Sequence, residues 1–241
     1  MDAEGCFSIF KVKNLFKFRF QIKLHCDDRP ILEYLKNRLQ IGQVYPLKPD
    51  TNIVEARWVI SNKVDILKLI EIFNKKNFNT TKHLDYLAWR EAFLLYNSVV
   101  RIPGDNLWMS VIDSLRSSMN DSRSNFVLPK DHQVKITPYW LLGFSEGEAN
   151  FGVNKSDCSQ VFAIDQTSRE GYVIKAIASF LLTLITDKSP TAALLRNKPN
   201  LMSVGDYPAR GNRKPITRIS IRNLSFIVDY FIPFLNSFTF F

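Results

Sequence analysis

The fold of this chain follows from one stretch of its sequence, Thr137-Pro-Tyr-Trp-Leu-Leu-Gly-Phe-Ser-Glu-Gly-Glu-Ala-Asn-Phe151. A capping threonine followed by proline predicts that a helix begins here. Gly143 and Gly147 lie four residues apart on one helix face, so a second helix backbone could approach closely. Glu146 and Glu148 come at the negative end of the helix dipole, which costs about 0.3–1 kcal/mol per exposed charge. A bound cation would remove that cost.

The chain contains a second, shorter copy of this stretch. Residues 1–7 align with residues 145–151 at an offset of 144. Two downstream segments also align, 20–24 with 162–166 and 58–62 with 219–223. Each half then follows the order helix, two strands, helix, two strands, helix. An internal repeat of this kind predicts a duplicated α+β unit.

The segment Leu141-Leu-Gly-Phe-Ser-Glu-Gly-Glu-Ala149 resembles the signature helix of the LAGLIDADG family of homing endonucleases and intron maturases. With both copies, the resemblance covers nearly the full chain. It implies two pseudo-symmetric αββαββα repeats with saddle-shaped antiparallel sheets, and motif helices packed at the repeat interface. We expect a first repeat at 1–119, a linker at 120–136 and a second repeat at 137–241.

Composition indicates a folded chain with an anionic partner. Of 241 residues, 46% are hydrophobic, and 32 Lys and Arg against 23 Asp and Glu give a net charge of +9. That excess fits nucleic acid, although charge alone is equally compatible with a merely basic enzyme. Cys6, Cys26 and Cys158 have no metal-ligand spacing and suggest a reducing compartment. The sequence shows no signal peptide and no apolar run long enough to span a bilayer, so no membrane partner is expected.

A strand over 16–25 has the clearest functional face in the first half. Its even positions are apolar, and its odd positions are the donors Lys17, Arg19, Gln21, Lys23 and His25. Such a pattern predicts one buried and one cationic face. A solvated sheet face usually mixes acids with bases, whereas this strand has five donors and no acid. Contact with nucleic acid is therefore the preferred interpretation.

Further basic residues extend this expected DNA-binding surface into both halves. Arg57 lies on the outward face of a later strand in the first half. In the second half, the segment Gly205–Pro215 is predicted to be a long loop with a cationic tip, followed by a basic strand. These residues are Arg210, Arg213, Lys214, Arg218 and Arg222. A cationic loop is commonly just solvated, but beside a basic strand it suits phosphate positioning.

The outward face of the corresponding strand in the second half differs. Ala163, Asp165 and Thr167 stand where the first half has Gln21, Lys23 and His25. The two halves therefore cannot read the same bases, which predicts an asymmetric target.

The resemblance also implies the catalytic residues. It assigns metal binding to the last acid of each motif, hence Glu4 and Glu148, with Asp2 and Glu146 as poorer ligands. Mg²⁺, or another divalent cation, is the expected cofactor, since Mg²⁺ takes few carboxylates together with water and substrate phosphates.

Lys82 falls on the family position of a basic active-site residue. The alternative is that Thr80 or Thr81 caps a helix and that Lys82 is an exposed lysine of its first turn. His83 is expected to be structural.

We expect a site-specific, Mg²⁺-dependent endonuclease that cuts double-stranded DNA at a long asymmetric site. The alternative is a maturase that binds host intron RNA without cutting, or an inactive relic of the same fold. A monomer is expected. The composition favours an organellar gene, mitochondrial or alternatively chloroplast.

Three departures from the family pattern concern the motifs and the ends. Ala149 stands where the first copy has Gly5, and the body of the first motif helix has no counterpart before Met1. In the second copy, the position matching Lys82 falls beyond Phe241. From these features we expect the 241-residue chain alone to be marginally stable and inactive.

Overall fold

The computed structural model describes residues 1–45, 54–76, 78–99, 106–155, 157–187, 189–198 and 201–238. The chain divides into two compact units, Met1–His132 and Gln133–Phe241. Within the described residues, no helix is both long and apolar enough to cross a bilayer.

Unit 1 begins directly with strands. Its elements are β1 (Gly5–Val12), β2 (Leu15–His25), α1 (Arg29–Leu39), β3 (Gln43–Tyr45), β4 (Glu55–Ile60), α2 (Lys63–Lys75), α3 (Lys82–Ser98) and α4 (Leu107–Ser117). The predicted strand over 16–25 is confirmed as β2, with Phe16, Phe18, Phe20 and Ile22 buried. The period-two pattern therefore sets which face of this strand meets the core.

Unit 2 opens with the helix that the motif predicts. Its elements are α5 (Pro138–Glu148), β5 (Ala149–Val153), β6 (Gln160–Thr167), α6 (Gly171–Leu182), α7 (Pro190–Arg196), β7 (Met202–Tyr207), β8 (Ile216–Ile221), α8 (Leu224–Phe226), a π-helical segment (Ile227–Phe231) and α9 (Ile232–Ser237). The Thr137 hydroxyl accepts a hydrogen bond from Trp140 N at 3.2 Å, which confirms the predicted cap. The predicted loop Gly205–Pro215 is shorter than expected, because Gly205–Tyr207 pair with β8.

The two sheets have the same topology. Unit 1 forms a four-stranded sheet in the order β1-β2-β4-β3, and unit 2 forms one in the order β5-β6-β8-β7. Every pairing is antiparallel. The α+β class and the internal repeat are therefore confirmed.

The first strands of the two sheets are covered to very different degrees. In unit 1, Phe7 is fully buried, and its ring lies 5.2 Å from that of Trp89 on α3. Phe7 pairs with Phe20 across the sheet, as Phe151 pairs with Phe162 in unit 2. Phe162 is buried against Phe231, but Phe151 itself is 63% exposed. Unit 2 therefore carries an apolar sheet edge that unit 1 covers with a helix.

Candidate catalytic residues and nucleic-acid interface

The first acidic motif forms a tight turn rather than the end of a long helix. Gly5 N donates to Met1 O at 2.9 Å, which closes the turn, and the chain then enters β1. A Cβ at Gly5 would lie 2.6 Å from Met1 O and 3.0 Å from the Phe20 ring, so only glycine fits. Within this turn Asp2 is buried and Glu4 is exposed. The two acids therefore have different environments, and Glu4 is the one accessible to a ligand.

The structure brings Lys82 to this turn from the first residue of α3. Lys82 Nζ donates to Ala3 O at 2.8 Å, and the side chain is half-buried. Its own backbone N–H donates to the Thr80 hydroxyl at 3.3 Å. Of the two features considered from the sequence, the lysine is held against the chain beside Glu4, whereas Thr81, the residue before the helix, makes no side-chain capping hydrogen bond. The expectation of a simply exposed lysine is wrong.

Asp2 has hydrogen-bond partners that the sequence did not reveal. Its carboxylate accepts from Asn79 N at 3.1 Å, from Thr80 N at 3.2 Å and from the Thr80 hydroxyl at 2.6 Å. These partners lie 77 or 78 residues away in sequence. Without the fold, only the presence of a second acid in the motif signalled a role for Asp2.

The second acidic motif ends α5. Glu148 is the last helical residue and is half-buried, whereas Glu146 is exposed. Gly143 and Gly147 are also exposed, and the opposite side of α5 buries Leu141, Leu142, Phe144 and Ser145. The helix thus has one face in the core of unit 2 and a second face that bears the glycines.

His83 packs beside the first motif and is buried, as a structural role requires. Its ring lies 4.7 Å from that of His132, and its Nδ1 has no hydrogen-bond partner among the described residues. Burial is the main cause that lowers the pKa of His83 to about 4, and His132 adds to the effect. The imidazole is therefore neutral at physiological pH.

The five polar residues of β2 lie on the face away from the core, and β4 continues that face. Lys23 is directly opposite Arg57 in the antiparallel register. The strand itself carries no acid, but β4 contributes Glu55. Glu55 lies 2.9 Å from Arg57 and 4.0 Å from Lys23. The positive charge of the sheet face is therefore partly neutralised. The sequence of β2 alone does not predict this, but the alternation of Glu55 with Arg57 in β4 does.

Arg19 is held over an aromatic ring on the same face. Its guanidinium carbon lies 4.8 Å from the centroid of Phe10, which is 43% exposed. A cation over an aromatic ring is attracted by the negative ring face. Arg19 is thus more ordered than a solvated side chain would be, and Phe10 becomes part of the outward face.

In unit 2 the same register position holds an ion pair. Asp165 on β6 is opposite Arg218 on β8, and the two form a two-pronged pair. Arg218 also lies 5.5 Å from the ring centroid of Tyr207. Where unit 1 has two cations side by side, unit 2 therefore has a cation and an anion.

The remaining basic residues of unit 2 lie on the connections at the two ends of β8. Arg210 and Arg213 pair through their backbones and, with Lys214, are exposed between β7 and β8. Arg222 is exposed one residue after β8. Four cations thus lie on connections and one, Arg218, on a strand paired with an acid.

One local group has mixed metal-ligand chemistry. His25, Cys26 and Asp27 place their ligand atoms within 4.8 Å of one another, the one such group of three among the described residues. All three are on consecutive positions at the end of β2, and the hydrogen bonds within the group explain its geometry.

Comparisons with known proteins agree with this architecture. Residues 1–93 match the family model described as LAGLIDADG endonuclease. An uncharacterized mitochondrial protein, RF1 of Saccharomyces cerevisiae, is 24% identical over 98% of this chain and 48% of its own length. A probable intron-encoded endonuclease, Cox1-I1b of Schizosaccharomyces pombe, is 28% identical over 62% of this chain and 38% of its own length. The chain spans about half or less of these curated relatives.

Solved structures extend the match over both units. The LAGLIDADG homing endonuclease I-GzeII in complex with a DNA target has a TM-score of 0.76 and 25% identity, covering 98% of this chain and 80% of that one. I-SmaMI bound to cleaved DNA has a TM-score of 0.72 at 20% identity, covering 98% and 79%. The chain thus matches the LAGLIDADG endonuclease family model in its first repeat, and its fold across both units is similar to that of solved LAGLIDADG homing endonucleases.

Proposed function

We propose that this protein is a divalent-metal-dependent endonuclease that cuts double-stranded DNA at a long, asymmetric site. The observation that carries the proposal is the contact between Lys82 and the first motif turn. Lys82 Nζ reaches the carbonyl of Ala3, the residue beside the exposed Glu4. The ammonium is thereby held against the backbone of the residue that precedes Glu4, although Lys82 lies 79 residues from Ala3 in sequence. A cation and an acid carried by one small part of the fold are candidates for phosphodiester hydrolysis.

The acids suit a hard divalent cation. Glu4 offers an exposed carboxylate on a rigid turn, and Glu148 offers one at the end of a capped helix. Mg²⁺ prefers such oxygen ligands and keeps water in its remaining positions. When bound, the ion would activate water and offset negative charge on the phosphate. We assign metal binding to Glu4 in unit 1 and to Glu148 in unit 2, and we assign to the Lys82 ammonium the stabilisation of charge near the attacked phosphate.

The DNA would lie along the outward sheet faces. In unit 1 we assign phosphate and base-edge contacts to Lys17, Arg19, Gln21, Lys23, His25 and Arg57. In unit 2 we assign them to Arg210, Arg213, Lys214, Arg218 and Arg222. Strand ribbons fit the major groove, where lysine, arginine and glutamine can bond to base edges. Because Asp165 replaces a cation at the Lys23 position, the two half-sites would differ.

A second candidate is the binding of intron RNA by a maturase. The observation that favours it is the presence of exposed aromatic rings among the cations of the unit 1 face. Phe10 lies opposite Lys17, and Tyr45, 52% exposed, lies opposite Arg57. Exposed rings beside cations suit unpaired bases, which stack on aromatic side chains. A monomeric, mitochondrially encoded protein fits both candidates.

The test is cleavage of a plasmid library carrying randomised or intron-flanking sequences, with Mg²⁺, by the chain extended upstream with a motif helix, because the 241-residue chain alone is expected to be inactive. The protein should cut one long site, and Glu4→Gln or Glu148→Gln should abolish double-strand cleavage. Both variants should keep DNA affinity in Ca²⁺ within about tenfold, because they keep the cationic faces. Glu146→Gln is the matched control, since this exposed acid lies two residues before Glu148 on the same helix, and it should cut normally.

Full cleavage by either glutamine variant would refute the metal assignment. Tight binding of intron RNA, with weak binding of any duplex and no cleavage, would replace the nuclease with the maturase.

A further inference from the structure

We propose that Asp2 is a positioning residue that clamps the turn Met1–Gly5 onto the start of α3 and so fixes Glu4 relative to Lys82. The proposal rests on the proposed function in that it concerns the same acid and base. It assigns to the first acid of the motif a task separate from metal binding.

The Asp2 carboxylate is buried, with only 8% of the residue exposed, and three donors satisfy it. A buried carboxylate is strongly unfavourable unless hydrogen bonds compensate its lost hydration. Two of the donors are backbone amides just before α3, where the positive end of the helix dipole also favours an anion. The carboxylate therefore ties residues 1–5 to a segment more than 70 residues later.

The Thr80 hydroxyl extends this tie to Lys82. It donates to Asp2 Oδ1 at 2.6 Å and accepts from Lys82 N at 3.3 Å. The Lys82 ammonium then donates to Ala3 O at 2.8 Å. The bonds form a closed circuit through Asp2, Thr80, Lys82 and Ala3. A shift of α3 along its axis would break this circuit and change the distance from Lys82 to the residue after Ala3, which is Glu4.

Asp2 is poorly suited to bind a metal itself. Its Oδ1 already accepts two hydrogen bonds and its Oδ2 accepts one. A cation would have to displace these donors from a buried place. Glu4, two residues later, is exposed and can accept a ligand without such displacement. Burial thus divides the two acids into one that holds the turn and one that is free for chemistry.

The clamp is a feature of unit 1 among the described residues. The aligned acid of unit 2, Glu146, is exposed on α5 rather than buried against a helix start. Two acids at equivalent motif positions therefore have opposite surroundings. Loss of the clamp should impair only the unit 1 acid, so one DNA strand should be affected more than the other.

Thr80→Val and Thr80→Ser test the clamp as a matched pair. Valine keeps the volume of threonine but removes the hydroxyl, whereas serine keeps the hydroxyl. Asp2→Asn is a third variant, which turns an NH₂ group toward one of the backbone donors. Ile66→Val, a small core change on α2, controls for general loss of stability. The measurements are single-turnover cleavage of each DNA strand, DNA affinity in Ca²⁺, and amide hydrogen exchange at residues 79–82.

We expect Thr80→Val and Asp2→Asn to slow cleavage of one strand by about tenfold or more, since small misplacements of catalytic groups are costly. DNA affinity of both variants should stay within about threefold of that of the protein without substitution, and amide hydrogen exchange at residues 79–82 should accelerate. Thr80→Ser, which keeps the hydroxyl, should retain the original cleavage rate and the original exchange. If Thr80→Val cuts as fast as the protein without substitution, the clamp is overturned. The same holds if Ile66→Val loses as much cleavage activity as Thr80→Val. Neither result would contradict the proposed endonuclease. If the chain extended upstream with a motif helix cuts no DNA, the proposed function fails. Hydrogen exchange then decides the clamp separately: unchanged exchange at residues 79–82 in Asp2→Asn and Thr80→Val would overturn it, and accelerated exchange would support it.

Discussion

At the scale of single residues, the pair formed by His83 and His132 shows how burial lowers the pKa of a histidine. His83 is 8% exposed and faces His132, with Asp2, Arg90 and Asp131 as the other charged or titratable groups that act on it. Desolvation and His132 hold its pKa at about 4, although Asp2 and Asp131 oppose the shift. In the unfolded chain the pKa would return to about 6.5.

The first prediction follows from that difference. Between pH 6.5 and 4, His83 binds a proton in the unfolded state but not in the folded state. The contribution of neutral, buried His83 to the free energy of unfolding is therefore complete above about pH 6.5 and is lost as the pH falls toward 4. The full shift would correspond to about 3 kcal/mol, and residual solvent screening reduces this to roughly 1–2 kcal/mol. Urea unfolding at pH 7 and pH 4.5 measures the loss. His83→Gln should unfold with a smaller difference between the two pH values; an unchanged difference would contradict the assignment to His83.

At the scale of elements, the outward face of β2 is the proposed contact with DNA. Replacing Lys17, Arg19 and Lys23 by alanine should lower the magnitude of the slope of log affinity against log salt concentration by about 2.7, since three phosphate contacts of about 0.9 each are lost. The matched control is the alanine triple of Lys63, Lys68 and Lys75, three exposed lysines on α2. It removes the same charge from another surface and should change the slope little. Equal slopes for the two triples would show that β2 does not touch the duplex.

The ion pair between β6 and β8 gives an independent prediction. Asp165→Asn releases Arg218 from its carboxylate without changing the strand register. We expect duplex affinity to rise by about threefold to tenfold and the salt slope to steepen by up to about 0.9, as one more cation meets phosphate. Stability should change by less than about 1 kcal/mol, because the pair is exposed. Asp229→Asn, which changes an exposed acid on the π-helical segment, is the control. Weaker duplex binding by Asp165→Asn would contradict the proposed face.

The elements were largely predictable from sequence, but their partners were not. Period-two alternation located β2 and its polar face, and Thr137 with Pro138 located the start of α5. These are local signals, carried by neighbouring residues. The hydrogen bonds of Asp2 and the charge pairs of Glu55 and Asp165 depend on strand register and on contacts between distant segments. No local pattern encodes those distances, so the motif acids could be found while their surroundings could not.

At the scale of the whole molecule, the two units share a sheet topology but differ in how far the first strand of each sheet is buried. Phe7→Ala should cost unit 1 about 3–5 kcal/mol, the usual range for a buried phenylalanine. Phe151→Ala, at the aligned position of unit 2, should cost about 1 kcal/mol or less, because 63% of Phe151 is already exposed. Denaturant unfolding of both variants in the full chain provides the comparison. If both variants lose similar amounts of unfolding free energy, Phe151 must be buried in solution by a contact outside the described residues.

The acids on the two proposed DNA-binding faces would affect how fast a target site is found. Glu55 and Asp165 each occupy the place that a phosphate would take beside an arginine. A duplex of arbitrary sequence must displace these two carboxylates from their arginines, so the net gain in binding free energy is small. Only a duplex that adds base-edge bonds would be held for long. The same carboxylates that lower the affinity for duplex DNA would therefore shorten the residence time at each non-cognate site and leave more time for scanning the genome.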